Sequence, residues 1–207
     1  MRANSGREQD CRARTGPMVD QLVIVRHGET EWSRSGQHTS VTDLPLLDVG
    51  VDDAKVAGRL LEQWSFSRVF SSPRQRARIT AELALGTDAN IEIREDLAEW
   101  HYGEYEGITS KKIHETSPDW WLWTDGAPGG ESPDEVTARC DAFIKSLDEI
   151  EGTVAAFAHS HILRCVAARW IGADVSLGAS FLLGTASVSC LSFDRGRRVI
   201  SLWNQRR

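Results

Sequence analysis

The chain has 207 residues, of which 41% are hydrophobic and 26% charged, a composition typical of a globular protein with one sizeable core. Its formal net charge of −6 argues against nucleic acid or an acidic membrane as a partner, because both favour a basic surface. No stretch approaches the ~18 consecutive apolar residues that a membrane-spanning helix needs.

The cysteines and the N-terminus bear on compartment and domain organisation. The four cysteines, at positions 11, 140, 165 and 190, show neither close pairing nor metal-ligand spacing, which predicts a reduced, cytoplasmic protein. Residues 1–17 contain arginines but no apolar stretch after them, which is unlike a secretory signal. We therefore expect a disordered extension over 1–17 and a single domain over 18–207.

The first predicted element is a buried strand over residues 22–25, an apolar run rich in β-branched residues. It ends in Arg26, His27 and Gly28, and ligands of open α/β sheets bind outside the carboxyl ends of strands. A polar loop is expected over 31–48, and loops after strand ends carry binding groups. This strand end is therefore a candidate anion site with His27 as a nucleophile.

The remaining elements alternate between helices and strands. The helical spacing of apolar residues predicts helices over 49–63, 74–85, 133–149 and 162–170. Short apolar runs predict strands over 68–71, 91–93 and 154–158, and a closing hairpin formed by 187–193 and 199–203. Such alternation is typical of an α/β fold, here a three-layer α/β/α sandwich with a mostly parallel central sheet.

The strand over 154–158 repeats the pattern of the first strand, since it ends in His159 and a helix follows at once. Backbone N–H groups at a helix start favour anions. Arg76, near the start of the 74–85 helix, can face the same sheet edge, and an arginine fork suits phosphate. A neutral histidine can attack phosphorus, and the departing alkoxide then needs a proton donor, for which Glu99 is the leading candidate.

A tryptophan-rich segment, with Trp120, Trp121 and Trp123, lies between residues 109 and 131. Large rings dominate packing energetics, so such a cluster is more often a small satellite core than a ligand cage. We expect an excursion or lid over the sheet edge.

Four motifs in this order resemble the histidine phosphatase superfamily, in its phosphoglycerate-mutase-like branch. They are residues 26–30 with Trp32, residues 71–73 with Arg76, Ala77 and Thr80, Glu99 with Tyr102 and Gly103, and His159 after an apolar strand. Together they span about residues 20–195. Residues 31–33, 36–39 and 123–126 are similar to bacterial acid phosphatases and to the fungal sedoheptulose-bisphosphatase type.

The resemblance implies a role for each matching residue. His27 would form a phosphohistidine, Glu99 would act as the acid and then the base, and Arg26, Arg76 and His159 would bind the transferred phosphoryl group. Six further positions are expected to contact the substrate: Ser33, Gln37, Thr39, Ser40, Tyr102 and Ser160. No metal and no cofactor are implied, and the expected ligand is a small phosphorylated metabolite.

Several alternatives stay open. A mutase would share the first half-reaction, but the segment after Glu99 offers only Lys111 and Lys112 as obvious cations for a second acid group. Serines at 33, 40 and 160 depart from the family pattern of asparagine, glycine and glycine, and those at 40 and 160 motivate the alternative of a protein that binds phosphorylated ligands without turnover. A zinc site at His159 and His161 lacks a convincing third ligand. The substrate is open, as is the oligomeric state, with a homodimer as one option.

Overall fold

Within residues 19–206, a single mixed sheet of six strands forms the centre of the fold. The structure is a computed structural model that describes residues 19–206, so the predicted extension over 1–17 lies outside the described residues. The strands are β1 (Val19–Arg26), β2 (Phe66–Ser71), β3 (Ile91–Ile93), β4 (Gly152–Ala158), β5 (Val188–Asp194) and β6 (Arg197–Gln205). Their order is β3-β2-β4-β1-β5-β6; the first four are parallel, and β5 and β6 form the predicted antiparallel hairpin.

In the described part of the chain, four long helices flank the sheet: α2 (Asp48–Leu61), α3 (Gln75–Leu85), α6 (Pro133–Ser146) and α7 (Ser160–Trp170). Three short ones lie in the connecting segments: α1 (Glu31–Ser35), α4 (Ser110–Ile113) and α5 (Leu122–Asp125). Short 3₁₀ turns occur at Glu95–Leu97, Gly103–Tyr105, Leu147–Glu149 and Val175–Ser180. Within residues 19–206, no helix is long and apolar enough to cross a membrane.

Alternate residues of β1 are buried on opposite faces of the sheet, which explains its unbroken apolar run. Leu22 and Ile24 belong to the core that includes α6 and α7. Val23 and Val25 belong to a second core that includes α2 and α3. A strand covered on both faces reads as continuously apolar rather than alternating. The predicted α/β/α sandwich with a mostly parallel sheet is therefore confirmed.

Two local predictions differ from the structure. The expected polar loop over 31–48 begins with α1, because the Thr30 hydroxyl accepts from the Ser33 backbone N–H and the Ser33 hydroxyl accepts from the Thr30 N–H. This is a capping box with serine where glutamate or glutamine is usual. The last helix begins at Ser160, two residues earlier than the predicted start at 162.

The tryptophan-rich segment packs into the core that includes α6 and α7 rather than forming the small satellite core that was predicted, and it borders a cavity. Trp123 is buried, and its ring lies 5.8 Å from that of Trp100 in an edge-to-face contact. Trp121 is half exposed. The segment therefore connects this core to the surface beside the cavity.

Candidate active site

The two strand-end histidines lie together because β1 and β4 are adjacent and parallel. Arg26 pairs with Ala158 in the sheet register, so His27 and His159 each follow the last pair. The His27 N–H donates to the Ala158 carbonyl at 2.9 Å, and the two imidazole rings are 5.1 Å apart at 61°. The sheet register thus brings together two residues more than 130 positions apart in the sequence.

Gly28 is required by a close approach between two backbone segments. A Cβ atom at this position would lie 2.4 Å from the carbonyl oxygen of Gly50, in the first turns of α2. The Gly28 N–H donates to the Thr80 hydroxyl of α3 at 2.9 Å. The turn after β1 is therefore fixed against both helices on this side of the sheet.

The hydrogen bonding of His27 determines its tautomer. Its Nδ1 lies 2.7 Å from the Gly28 carbonyl oxygen, which can only accept, so the proton is on Nδ1 and Nε2 keeps its lone pair. Burial, together with the charges of Arg76 and Arg26, holds the pKa of His27 well below its usual value. A neutral imidazole with a free Nε2 is the form that can act as a nucleophile.

Arg26 is anchored at one nitrogen and unpaired at another. Its Nη1 donates to the Leu183 carbonyl at 2.6 Å, whereas its buried Nε has no hydrogen-bond partner within residues 19–206. Burial lowers the pKa of Arg26 to about 10, opposed by the charge of Glu99, so the guanidinium stays protonated at neutral pH. A buried unpaired N–H group is costly, and an anion in the adjoining cavity would satisfy it.

Arg76 and His159 are fully buried and bound to protein groups. The Nε of Arg76 donates to Nδ1 of His159 at 3.1 Å, so the His159 proton is on Nε2, 2.6 Å from the Ser72 hydroxyl. The other guanidinium nitrogens of Arg76 donate to the carbonyls of Thr39, Ser40 and Thr42. Burial, followed by the Arg76 charge, lowers the pKa of His159 well below its usual value.

Glu99 is held by the backbone at the start of α7. Its Oε1 accepts from the N–H groups of Trp100 and Ile162 at 2.9 and 2.8 Å, and its Oε2 accepts from His161 N–H at 3.0 Å. Oε2 has a single backbone donor and therefore keeps room for a proton or a substrate hydrogen bond. Glu99 is buried, although its loop position gave no sign of these partners.

Two further histidines, His38 and His161, lie beside Tyr102. The Tyr102 hydroxyl is 2.6 Å from Nδ1 of His161, and the His38 and Tyr102 rings are 4.6 Å apart. Burial raises the pKa of Tyr102 well above its usual value, so its hydroxyl is the donor in this bond. Burial lowers the pKa of His161 well below its usual value, and that of His38 to about 4.

Glu106 organises the loop that contains Ser40. Its carboxylate accepts from the Ser40 N–H at 3.0 Å, the Ser40 hydroxyl at 2.6 Å and the Thr42 N–H at 2.9 Å. Burial acts to raise the pKa of Glu106, but the hydrogen bonds from Ser40 and Thr42 outweigh it and lower the pKa. The carbonyls of this same loop bind Arg76, so Glu106 supports Arg76 through the loop. Sequence pattern gave no signal for this role.

A cavity of about 220 Å³ opens at these strand ends. Eight of the eleven predicted site residues line it: Arg26, His27, Ser33, Gln37, Thr39, Glu99, Tyr102 and Ser160. Three do not, namely Ser40, Arg76 and His159, which are buried behind it. His161 and Ser110 line the cavity without having been predicted to do so, and His38 lines it as well.

Ser160, where glycine was the expected pattern, is the first residue of α7. A helical residue has ordinary backbone angles, which serine adopts without strain. Its side chain reaches the cavity lining, and it leaves intact the N–H groups that bind Glu99.

The fold and the cavity together define an α/β protein with a buried neutral histidine, cationic groups and a carboxylate at the carboxyl ends of parallel strands. The family model described as histidine phosphatase superfamily (branch 1) matches residues 22–206, and the chain belongs to this family. The predicted resemblance is therefore confirmed.

Individual relatives agree with this assignment. An acid phosphatase of Mycobacterium tuberculosis is 39% identical over 186 residues, which cover 88% of this chain and 91% of that protein. The sedoheptulose 1,7-bisphosphatase of Saccharomyces cerevisiae is 34% identical over 189 residues, covering 76% and 70%. The solved structure of an open reading frame product from Mycobacterium tuberculosis superposes with a TM-score of 0.83 at 37% identity, covering 90% of this chain and 98% of that one.

Proposed function

We propose that this protein hydrolyses small phosphomonoesters through a phosphohistidine on His27. The observation that carries the proposal is the neutral His27 with an unprotonated Nε2, in a cavity that also contains Arg26 and Glu99. The named functions of the two curated relatives, an acid phosphatase and a sugar bisphosphatase, support the same chemistry.

The proposed reaction has two steps. In the first, Nε2 of His27 forms a bond to phosphorus, the bond from phosphorus to the ester oxygen breaks, and protonated Glu99 gives its proton to the leaving alkoxide. In the second, a water molecule gives a proton to Glu99 and attacks phosphorus, and the bond between phosphorus and Nε2 breaks. Inorganic phosphate, the free alcohol and the starting enzyme are the products.

The cationic residues have different proposed parts. Arg26 lines the cavity, and its unpaired Nε suits a phosphoryl oxygen. Arg76 lies outside the lining, but its charge is among the causes that keep His27 neutral. His159 is held between Arg76 and Ser72, and its ring packs edge-on against His27. We propose that Arg76 acts mainly by keeping His27 neutral, and that His159 acts mainly by fixing the position of the His27 ring.

Water, rather than a second substrate hydroxyl, is the proposed phosphoryl acceptor. A mutase must bind a second acid group on its substrate, which requires further cations. Arg26 is the one arginine or lysine in the lining of this cavity among residues 19–206. Lys111 and Lys112 are exposed outside that lining, and Lys112 pairs with Glu115.

We propose that the reaction needs no metal, because His27 and Glu99 supply the nucleophile and the proton. Treatment with a chelator should leave the rate unchanged; a loss of activity that zinc restores would contradict this. A cytoplasmic location and a homodimer stay predictions from the sequence.

The test is brief mixing with a ³²P-labelled phosphomonoester followed by a quench. The wild type should carry acid-labile phosphate, and His27→Ala should lose both the label and the release of inorganic phosphate. His101→Ala, which replaces a partly exposed histidine outside this cavity, is the matched control and should keep both. Hydrolysis by His27→Ala at the wild-type rate would refute the mechanism.

A further inference from the structure

A second cavity adjoins the candidate active site, and the mechanism above does not use it. It has a volume of about 190 Å³, and it shares the side chains of His38, Ser110 and His161 with the first cavity. The group esterified to a phosphate at His27 would extend out of the first cavity along part of its wall. Because the two cavities share these residues, the second cavity is an adjacent space open to such a group.

The other walls of the second cavity are largely aromatic. Trp120 and Trp123 belong to the lining, with the Trp120 ring 5.8 Å from that of His38 and the Trp123 ring 5.3 Å from that of His161. The Trp120 indole N–H donates to the Gly126 carbonyl at 2.8 Å, which fixes its ring. Trp121 also lines the cavity and is 51% exposed, which places it at the open side. Preformed aromatic walls favour flat, apolar groups.

The charge of this cavity is low. Arg164 is the one arginine or lysine in its lining among residues 19–206. Its Nε and Nη2 donate to the carbonyls of Gly178 and Ala179, and its guanidinium lies 4.7 Å from the centre of the Trp123 ring. Much of its hydrogen-bonding capacity is therefore already used. A second phosphate or a carboxylate would find few free donors here.

We propose that the aromatic cavity binds the leaving group, and that the substrates are phosphomonoesters of uncharged alcohols carrying an aromatic ring or a similarly flat apolar group. The inference rests on the proposed function and adds the substrate class to it. The volume suits one ring, since an engineered cavity of roughly 150 Å³ takes up benzene. A polyol phosphate or a bisphosphate would leave these walls without a complementary partner.

The test compares benzyl phosphate, ethyl phosphate and 3-phosphoglycerate. Benzyl and ethyl phosphate both release a simple alkoxide, so their difference in kcat/KM reports mainly on the ring. Burial of one aromatic face should raise kcat/KM for benzyl phosphate at least about tenfold over ethyl phosphate. Equal values for the two esters would overturn the inference while leaving the proposed hydrolysis in place.

A pair of variants locates the effect. Trp121→Ala should lower the benzyl-to-ethyl ratio of kcat/KM at least about threefold, because it removes one aromatic wall. Ile171→Ala removes an exposed apolar side chain at the far end of α7 and should leave the ratio unchanged. An unchanged ratio in Trp121→Ala would overturn the inference.

The third ester, 3-phosphoglycerate, tests the alternative that the second cavity binds an anion. A preference for 3-phosphoglycerate that is lost in Arg164→Ala would make the cavity an anion site and would also overturn the inference. If the wild type hydrolyses none of the three esters, the proposed function fails and the inference fails with it.

Discussion

Acidification should destabilise this protein through His38, whose contribution can be worked out. Burial lowers the pKa of His38 from 6.5 to about 4, although the nearby charge of Glu106 opposes the shift. The folded state thus holds the ring neutral, whereas the unfolded chain takes up a proton as the pH falls below 6.5. The contribution of His38 to the free energy of unfolding is therefore fully present above pH 6.5 and is lost as the pH falls towards 4.

The size of the effect follows from the two pKa values. At pH 5, protonation stabilises the unfolded state by a factor of about 30, and the folded state is almost unprotonated at His38. The free energy of unfolding should therefore fall by about 2 kcal/mol between pH 7 and pH 5 on account of His38 alone. In a chain of this length, that corresponds to roughly 4–8 °C in Tm.

Urea unfolding at pH 7 and pH 5 measures this contribution. His38→Gln cannot take up the proton, so it should lose about 2 kcal/mol less than the wild type on acidification. His27, His159 and His161 have lowered pKa values as well, but they are present in both proteins and cancel in the comparison. His114→Gln, at an exposed position, should behave as the wild type does. An equal loss in His38→Gln and the wild type would refute the reasoning.

Two further variants test the supports of the site. Glu106→Gln replaces a carboxylate that accepts hydrogen bonds from Ser40 and Thr42 with an amide, in which one of the two acceptors becomes a donor. In urea unfolding this variant should lose about 2 kcal/mol of the free energy of unfolding, and its kcat/KM should fall. The exposed Glu104→Gln is its control, and an equal effect in both would contradict this role for Glu106. Gly28→Ala places a Cβ 2.4 Å from the Gly50 carbonyl oxygen and should cost about 1–3 kcal/mol; an unchanged Tm would show that the two segments move apart freely.

The sequence predicts those parts of the site that follow from strands. Apolar runs locate β1 and β4, and the rule that parallel strands bind ligands at their carboxyl ends brings His27 and His159 together. Glu99 and Arg26 were predicted from motifs and do line the cavity. Periodicity carries this information because it depends on which face of an element is buried.

Contacts between distant loops were not predictable in this way. Ser40 meets Glu106 across 66 positions, and Tyr102 meets His161 across 59. Helical phase allowed Arg76 to face the sheet edge, but it gave no sign that loop carbonyls would occupy the guanidinium. Loop conformation depends on such long-range partners rather than on a local repeat. For this reason the sequence predicted substrate contacts for Ser40 and Arg76, but both residues lie behind the cavity.

The position of Glu99 at the start of α7 has a consequence for how its variants are interpreted. The Glu99 carboxylate, which would transfer the proton in the reaction, also accepts hydrogen bonds from the N–H groups of His161 and Ile162. The side chain of the residue before α7 makes no capping hydrogen bond to these groups. Replacing Glu99 with alanine therefore takes away a proton carrier and frays the first turn of a helix that carries Ser160 and His161 into the cavity. Glutamine keeps one side-chain oxygen that accepts from those N–H groups. Comparing the activities of the alanine and glutamine variants therefore separates the loss of the proton carrier from the loss of support for the helix start.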